Sequence, residues 1–197
     1  MINNSMGSRA LTRLGAAGLL AVLLTGCASV QLPAPAASAA NVEKLRAAKL
    51  PPLATGSFVL APGKPAEMDK SLGGLRGSSV SPAGGSFAVQ LRDELLAELK
   101  AAGLYDANAK HVIEGQLTDS MVDAAIDIGK GRLAARFTVK REGKTIYDKE
   151  LVADAHWNSS FIGATAIPMA VNQYGALYKT LVGKLVDDAD FRAALTR

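Results

Sequence analysis

The chain has a single cysteine, Cys27, in 197 residues. A disulfide within the chain is therefore excluded, although an exported protein could have formed one. A zinc site built on cysteines is excluded as well. Histidine is nearly as scarce: His111 and His156 stand far apart, with no HExxH pattern and no histidine–carboxylate cluster. No metal site and no cofactor are expected from them. Charge of one sign is also missing. The formal net charge is +4, with 22 Lys and Arg against 18 Asp and Glu. It falls to about +2 if Arg9 and Arg13 leave with a cleaved leader. No basic run with interleaved aromatics occurs, so a nucleic-acid partner is not expected. The phosphate-cradling pattern GxxxxGK[ST] does not occur, and no internal repeat is visible.

What is present is concentrated at the start. Arg9 and Arg13 form a basic region with no acidic residue before it, and Leu14 to Leu24 is an apolar run rich in Leu and Ala. The run is too short to span a bilayer with the usual margin and reads as a secretory signal. It ends in Leu24-Thr25-Gly26-Cys27. This ending resembles the lipobox of bacterial lipoproteins. The resemblance implies that Cys27 becomes the first residue of the mature chain. It would carry a diacylglyceryl group on its thiol and usually a third, palmitate-type chain on its amine. Each buried methylene contributes about 0.8 kcal/mol, so two or three chains hold where one holds only marginally. The residue after the cysteine is Ala28 rather than Asp. In enterobacteria-like sorting that implies an outer-membrane address, with the domain on the periplasmic face.

Three segments follow: a signal peptide over 1–26, the lipidated cysteine with a tether over 27–50, and a periplasmic domain over 51–197. Residues 28–40 are uncharged and rich in Ala, Pro and Ser, which reads as a stand-off tether. Asn41 to Lys49 is expected to be a short helix capped by Asn41 and ended by Pro51-Pro52. Gly56 to Ala61 reads as a strand. Residues 62–85, with six glycines, read as a long irregular loop. The clearest element is a helix over Phe87 to Ala102. Ser86 caps it, Phe87, Leu91, Leu95 and Leu99 repeat every four residues, and Gly103-Leu104 stops it. His111 to Ile128 reads as one or two strands, and Gly129-Lys130-Gly131 as a turn. Leu133, Ala135, Phe137 and Val139 alternate with polar residues, as a strand with one wet face does. Glu142-Gly143 turns the chain into a strand over Lys144 to Trp157. Phe161 to Val186 is expected to form a long closing helix, broken at Asp187-Asp188-Ala189. The expected fold is α+β: an antiparallel β-meander of about four strands, with two main helices packed on one face.

Few side chains point to chemistry. Asp154, His156, Ser159 and Ser160 lie close in sequence and offer a nucleophile and a base on paper. Catalytic partners are recognised by geometry, however, and on a strand these read as a polar outer face. Asp119, Asp123 and Asp127 are spaced by four but lack the Gly and terminal Glu of a calcium loop. They read as a solvated strand face. No catalytic residue is therefore assigned, and an enzyme is not expected. The segment from Phe161 to Ala170 is uncharged and broken by Gly163 and Pro168. It serves either as a packed entry to the closing helix or as an apolar lip. In the second case Phe161, Ile162, Ile167 and Met169 would contact a partner, a lipid or the membrane.

The run GSFAVQLRDELLAELKAAGLY, a meander, and a long helix ending LVGKLVDDADFRAAL resemble small bacterial envelope lipoproteins. These include the YajG-like lipoproteins, the auxiliary lipoproteins of ABC-type lipid transport systems and, more distantly, the lipopolysaccharide-assembly lipoprotein. The resemblance covers roughly residues 55–195 and implies a non-enzymatic envelope role. It transfers no residue other than Cys27. The expectation is an adaptor with an envelope protein as partner and Cys27 in the membrane. The alternative is a lipid or glycolipid bound in an apolar groove.

Overall fold

A computed structural model describes residues 29–196. The signal segment and Cys27 lie outside the described residues. Seven strands and four helices follow in the order β1 (Ser29–Gln31), α1 (Ala39–Ala47), β2 (Leu53–Leu60), β3 (Leu72–Leu75), β4 (Ser78–Ser81), α2 (Phe87–Ala102), β5 (His111–Asp123), β6 (Asp127–Arg141), β7 (Lys144–Ser159), α3 (Gly163–Asp187) and α4 (Ala189–Thr196). The α+β expectation holds. The larger sheet has four strands in the order β2-β5-β6-β7, and α2 and α3 pack on one of its faces. β5, β6 and β7 form the antiparallel meander, but β2 pairs with β5 in parallel. The reason is α2: a helix between two strands carries the chain back to the end where the first strand began.

Local chemistry explains the boundaries. The Ser86 hydroxyl accepts from Val89 N–H, and the Asp69 carboxylate accepts from Ala88 N–H, so two free donors at the start of α2 are satisfied. Gly103 ends the helix at φ +77°, a left-handed conformation that costs glycine nothing. Glu142 and Gly143, both at positive φ, form the tight turn from β6 to β7. A bulge between Leu117 and Asp119 shifts the β5 register. Leu117 and Val122 therefore face the core, and Met121 is exposed.

Four expectations need correction. The stretch read as a tether is folded from Ser29 onward. β1 pairs in parallel with β4, Leu32 is buried, and α1 packs against α2 and α3. An Ala/Pro/Ser composition has few anchors, yet Leu32, Leu45 and Leu50 all reach the core. The cap of α1 is Ser38, not Asn41, whose side chain is buried instead. The 62–85 loop holds a 3-10 turn (Ala66–Asp69) and the β3–β4 hairpin, which with β1 forms a second, three-stranded sheet. Finally, Gly129 and Gly131 are not a turn but lie inside β6, under the Trp157 ring. A Cβ at Gly129 would sit 2.3 Å from that ring, so the glycine provides the space that the tryptophan fills.

Candidate functional site

Arg76 organises one end of the molecule. It occupies the β3–β4 turn at φ +52°, with Gly77 next at φ +88°. Its guanidinium donates to Ala124 O at 2.7 Å, Ser160 O at 2.6 Å and Phe161 O at 2.8 Å, with longer contacts to Ala125 O and Ser159 Oγ. One fork thus satisfies carbonyls from two chain turns, β5–β6 and β7–α3. Gly74 helps by letting the hairpin approach the end of β5, where its carbonyl accepts from Ala124 N–H at 2.8 Å. A Cβ at Gly74 would meet Val122 O at 2.1 Å. The turns that Arg76 holds present Ile126, Ile128, Phe161 and Ile162, all exposed. The charge is spent on the protein's own backbone, and the surface above it is apolar.

The four sequence-expected contact residues divide here. Phe161 and Ile162 project from this end, whereas Ile167 and Met169 are partly buried against the core. Ile167 also lines a shallow apolar groove of about 300 Å³ with Val30, Pro33, Pro168 and Val171. The groove continues past Pro33 and Asn172 toward α2, where Gln90, Glu94, Tyr178 and Lys179 line it. At this inner end Glu98 accepts from Ser38 N–H and from Asn41 Nδ2, and Asn41 also donates to Lys179 O at 2.9 Å. One carboxylate therefore fastens the N-terminal segment to α2, and Asn41 fastens it to α3. Glu94 lies one turn away, with Lys179 Nζ at 3.8 Å, an ion pair but not a hydrogen bond. Burial raises its carboxyl above the usual glutamate range, only partly offset by Lys179, and Glu98 adds to the rise.

Among the described residues no helix covers the other face of the larger sheet, which carries ion-paired rows. Arg132 joins Asp119 on β5 to Asp154 on β7 at 3.0 and 2.8 Å. Arg136 holds Asp148 through two bonds, and Lys140 pairs with Glu114. Asp119 is thus an ion-pair partner, and no group of metal-ligating side chains assembles among the described residues. His156 is exposed, while Ser159 is buried and accepts from Arg76, and the Ser160 hydroxyl accepts from Ile162 N–H. The structure brings neither serine to the histidine.

No family model matches the chain, and no curated protein matches it. Among solved structures, the crystal structure of XCC0632 from Xanthomonas campestris, assigned to the family model DUF330, superposes with a TM-score of 0.56 at 9% identity. It covers 84% of this chain and 96% of XCC0632. The two proteins share a fold. A candidate lipoprotein from Caulobacter crescentus is more distant, with a TM-score of 0.46 and 12% identity over 81% of this chain and 98% of its own. A minor lipoprotein from Acinetobacter baumannii reaches 0.36 at 14% identity, over 74% of this chain and 91% of its own. Below 0.5 neither adds an argument. The likeness to XCC0632 extends over nearly all of that protein.

Sequence reasoning missed Arg76, Ile126 and Ile128 as members of one surface. The Arg76-Gly77 dipeptide between LGGL and SSV is only a weak turn signal, because the flanking segments lack strand propensity. Nothing in the sequence announces that its arginine reaches carbonyls some fifty and eighty-five residues away.

Proposed function

We propose that the chain is a lipid-anchored envelope lipoprotein, facing the periplasm from the outer membrane, that acts as a non-enzymatic adaptor for an envelope assembly or transport component. The observation that carries this reading is the Leu24-Thr25-Gly26-Cys27 motif, placed two residues before the first strand of the folded domain. A lipid on Cys27 fixes the location. The uncovered sheet face, with its rows of Arg132, Arg136 and Lys140 among Asp119, Asp148 and Asp154, offers a polar surface on which a protein partner docks. Half-exposed ion pairs of this kind add little to stability and serve better as recognition groups.

The test has two parts. Palmitate labelling in cells should mark the wild type and not Cys27→Ala, and an unlabelled wild type refutes the anchor. Affinity capture from mildly solubilised envelopes should yield one stoichiometric partner. That partner should be lost when Arg132 and Arg136 are both changed to Glu, and its retention by this variant would remove the sheet face from the model of docking.

A second reading has its own observation. The groove lined by Val30, Pro33, Ile167, Pro168 and Val171 is apolar and open at the surface, with a volume of about 300 Å³. Native mass spectrometry of the cell-derived domain would show a co-purifying lipid under this reading and a bare protein under the first.

A further inference from the structure

We infer that the apolar end formed by Ile126, Ile128, Phe161 and Ile162 is a membrane-seating surface, which rests on the bilayer beside the anchor and holds the domain in one orientation. The inference rests on the reading of Cys27 as lipidated.

These side chains are among the most exposed large apolar groups of the described residues, with Phe161 79% and Ile162 63% accessible. Ile126 and Ile128 are 55% and 46% accessible. They lie on two turns that Arg76 ties together through backbone carbonyls, so they form one rigid surface and not two loose loops. Asp127, between the two isoleucines, is held at φ +72° in a tight turn closed by Ile128 N–H on Ile126 O. That conformation disfavours an L residue and orients both side chains outward.

The path of the N-terminal segment identifies what covers this surface. β1 runs parallel to β4, with Ser29 opposite Ser79, just past the Arg76-Gly77 turn. β1 therefore starts at the Arg76 end and runs away from it. Val30 sits against Ile167 and Pro168 at the start of α3, a few residues beyond Phe161 and Ile162. Cys27 precedes Ser29 by two residues, and two residues span at most about 7 Å. An acylated Cys27 thus brings the bilayer to the end of the domain where the exposed apolar side chains lie.

Charge supports an anchored rather than a free encounter. Asp123 precedes the isoleucines and Asp127 lies between them, Lys130 is nearby, and the Arg76 charge is engaged with carbonyls. Among the described residues of these two turns, no cluster of cations is present to draw the free domain to anionic lipid. Four apolar side chains bind a bilayer weakly by themselves but effectively once the anchor holds them at the surface.

The experiment uses the full lipidated protein in vesicles of phosphatidylethanolamine and phosphatidylglycerol. Cys27 is the only native cysteine and is blocked by its lipid, so Phe161→Cys introduces the one free thiol for an environment-sensitive fluorophore. Ile126→Cys repeats the probe on the other turn, and Lys144→Cys reports from the Glu142-Gly143 turn at the opposite end of the meander. The expected result is quenching of the labels at 161 and 126 by brominated lipid tails, at least twofold, with protection from iodide. The label at 144 should show the reverse. Labels at 161 and 126 open to iodide on protein that still co-sediments with vesicles would overturn the inference and leave the anchor intact. Shielding from both quenchers would replace it with contact between copies of the chain. Protein that fails to co-sediment would refute the anchor itself, and the seating surface with it.

Discussion

At the scale of single residues, three side chains carry consequences beyond their size. Glu94 is buried beside Glu98, and its carboxyl is raised because burial disfavours the charged form. The folded protein then binds the proton more tightly than the unfolded chain does. Stability from this group is fully present below the ordinary glutamate value and declines as pH rises through the raised one. Glu94→Gln should therefore stabilise the protein at neutral pH and flatten the fall in stability above about pH 4.5, read from urea midpoints across pH. Glu98 behaves differently, because its carboxylate accepts from Ser38 and Asn41, so Glu98→Ala should cost about 1–3 kcal/mol by leaving those donors unpaired. Arg76→Ala should cost about 2 kcal/mol and accelerate amide exchange selectively at 123–128 and 159–163, the segments whose carbonyls it serves. Uniform acceleration across the meander would show that the arginine is not a local clamp. None of these roles is legible in the sequence. A charged residue on a helix reads as surface until a partner from another element covers it, as Ser38 and Asn41 at the start of α1 cover Glu98.

At the scale of elements, legibility follows the strength of local signals. α2 is readable because its stripe, Ser86 and Gly103 agree, and β6 from Leu133 onward because its alternation is strict. β3 and β4 are not readable. LGGL and SSVS have almost no strand propensity and exist because β1, the Arg76 clamp and Gly74 hold them. The Gly129-Lys130-Gly131 stretch misleads for the opposite reason. Its glycines look like a turn, but they make room for Trp157 across the strand pair. Gly129→Ala should push that ring aside and cost about 1–3 kcal/mol. Trp157 is the sole tryptophan, so its emission should shift to the red in proportion. An unchanged spectrum would mean that the ring has room to spare. The break at Asp188 was legible from its acidic pair. Its structural reason is a second fastening, in which Lys149 on β7 holds both Asp188 and Asp190 and thereby seats α4.

At the scale of the whole molecule, the N-terminal segment is a wall of the domain and not an appendage. Leu32, Leu45 and Leu50 are all buried, and β1 completes the smaller sheet. A form beginning at Pro51 should lose more than about 5 kcal/mol, comparable to the total stability of a domain this size, and so fail to fold cooperatively. A form beginning at Ser29 should unfold in a single transition, as followed by circular dichroism. If both melt alike, the segment is ornamental. The composition of 28–40 argued for slack, because Ala, Pro and Ser are what linkers are made of. Only the fold shows that a single leucine and one parallel pairing suffice to dock it.

That docking also imposes an order of events. On the proposed lipoprotein reading, the peptidase that cuts before Cys27 would need an extended stretch of chain on both sides of the bond. Once β1 is zipped to β4, only Ala28 separates Cys27 from a paired strand. If Cys27 is processed as proposed, maturation would come before β1 closes onto β4, and the larger sheet and its helices could form while the leader is still attached.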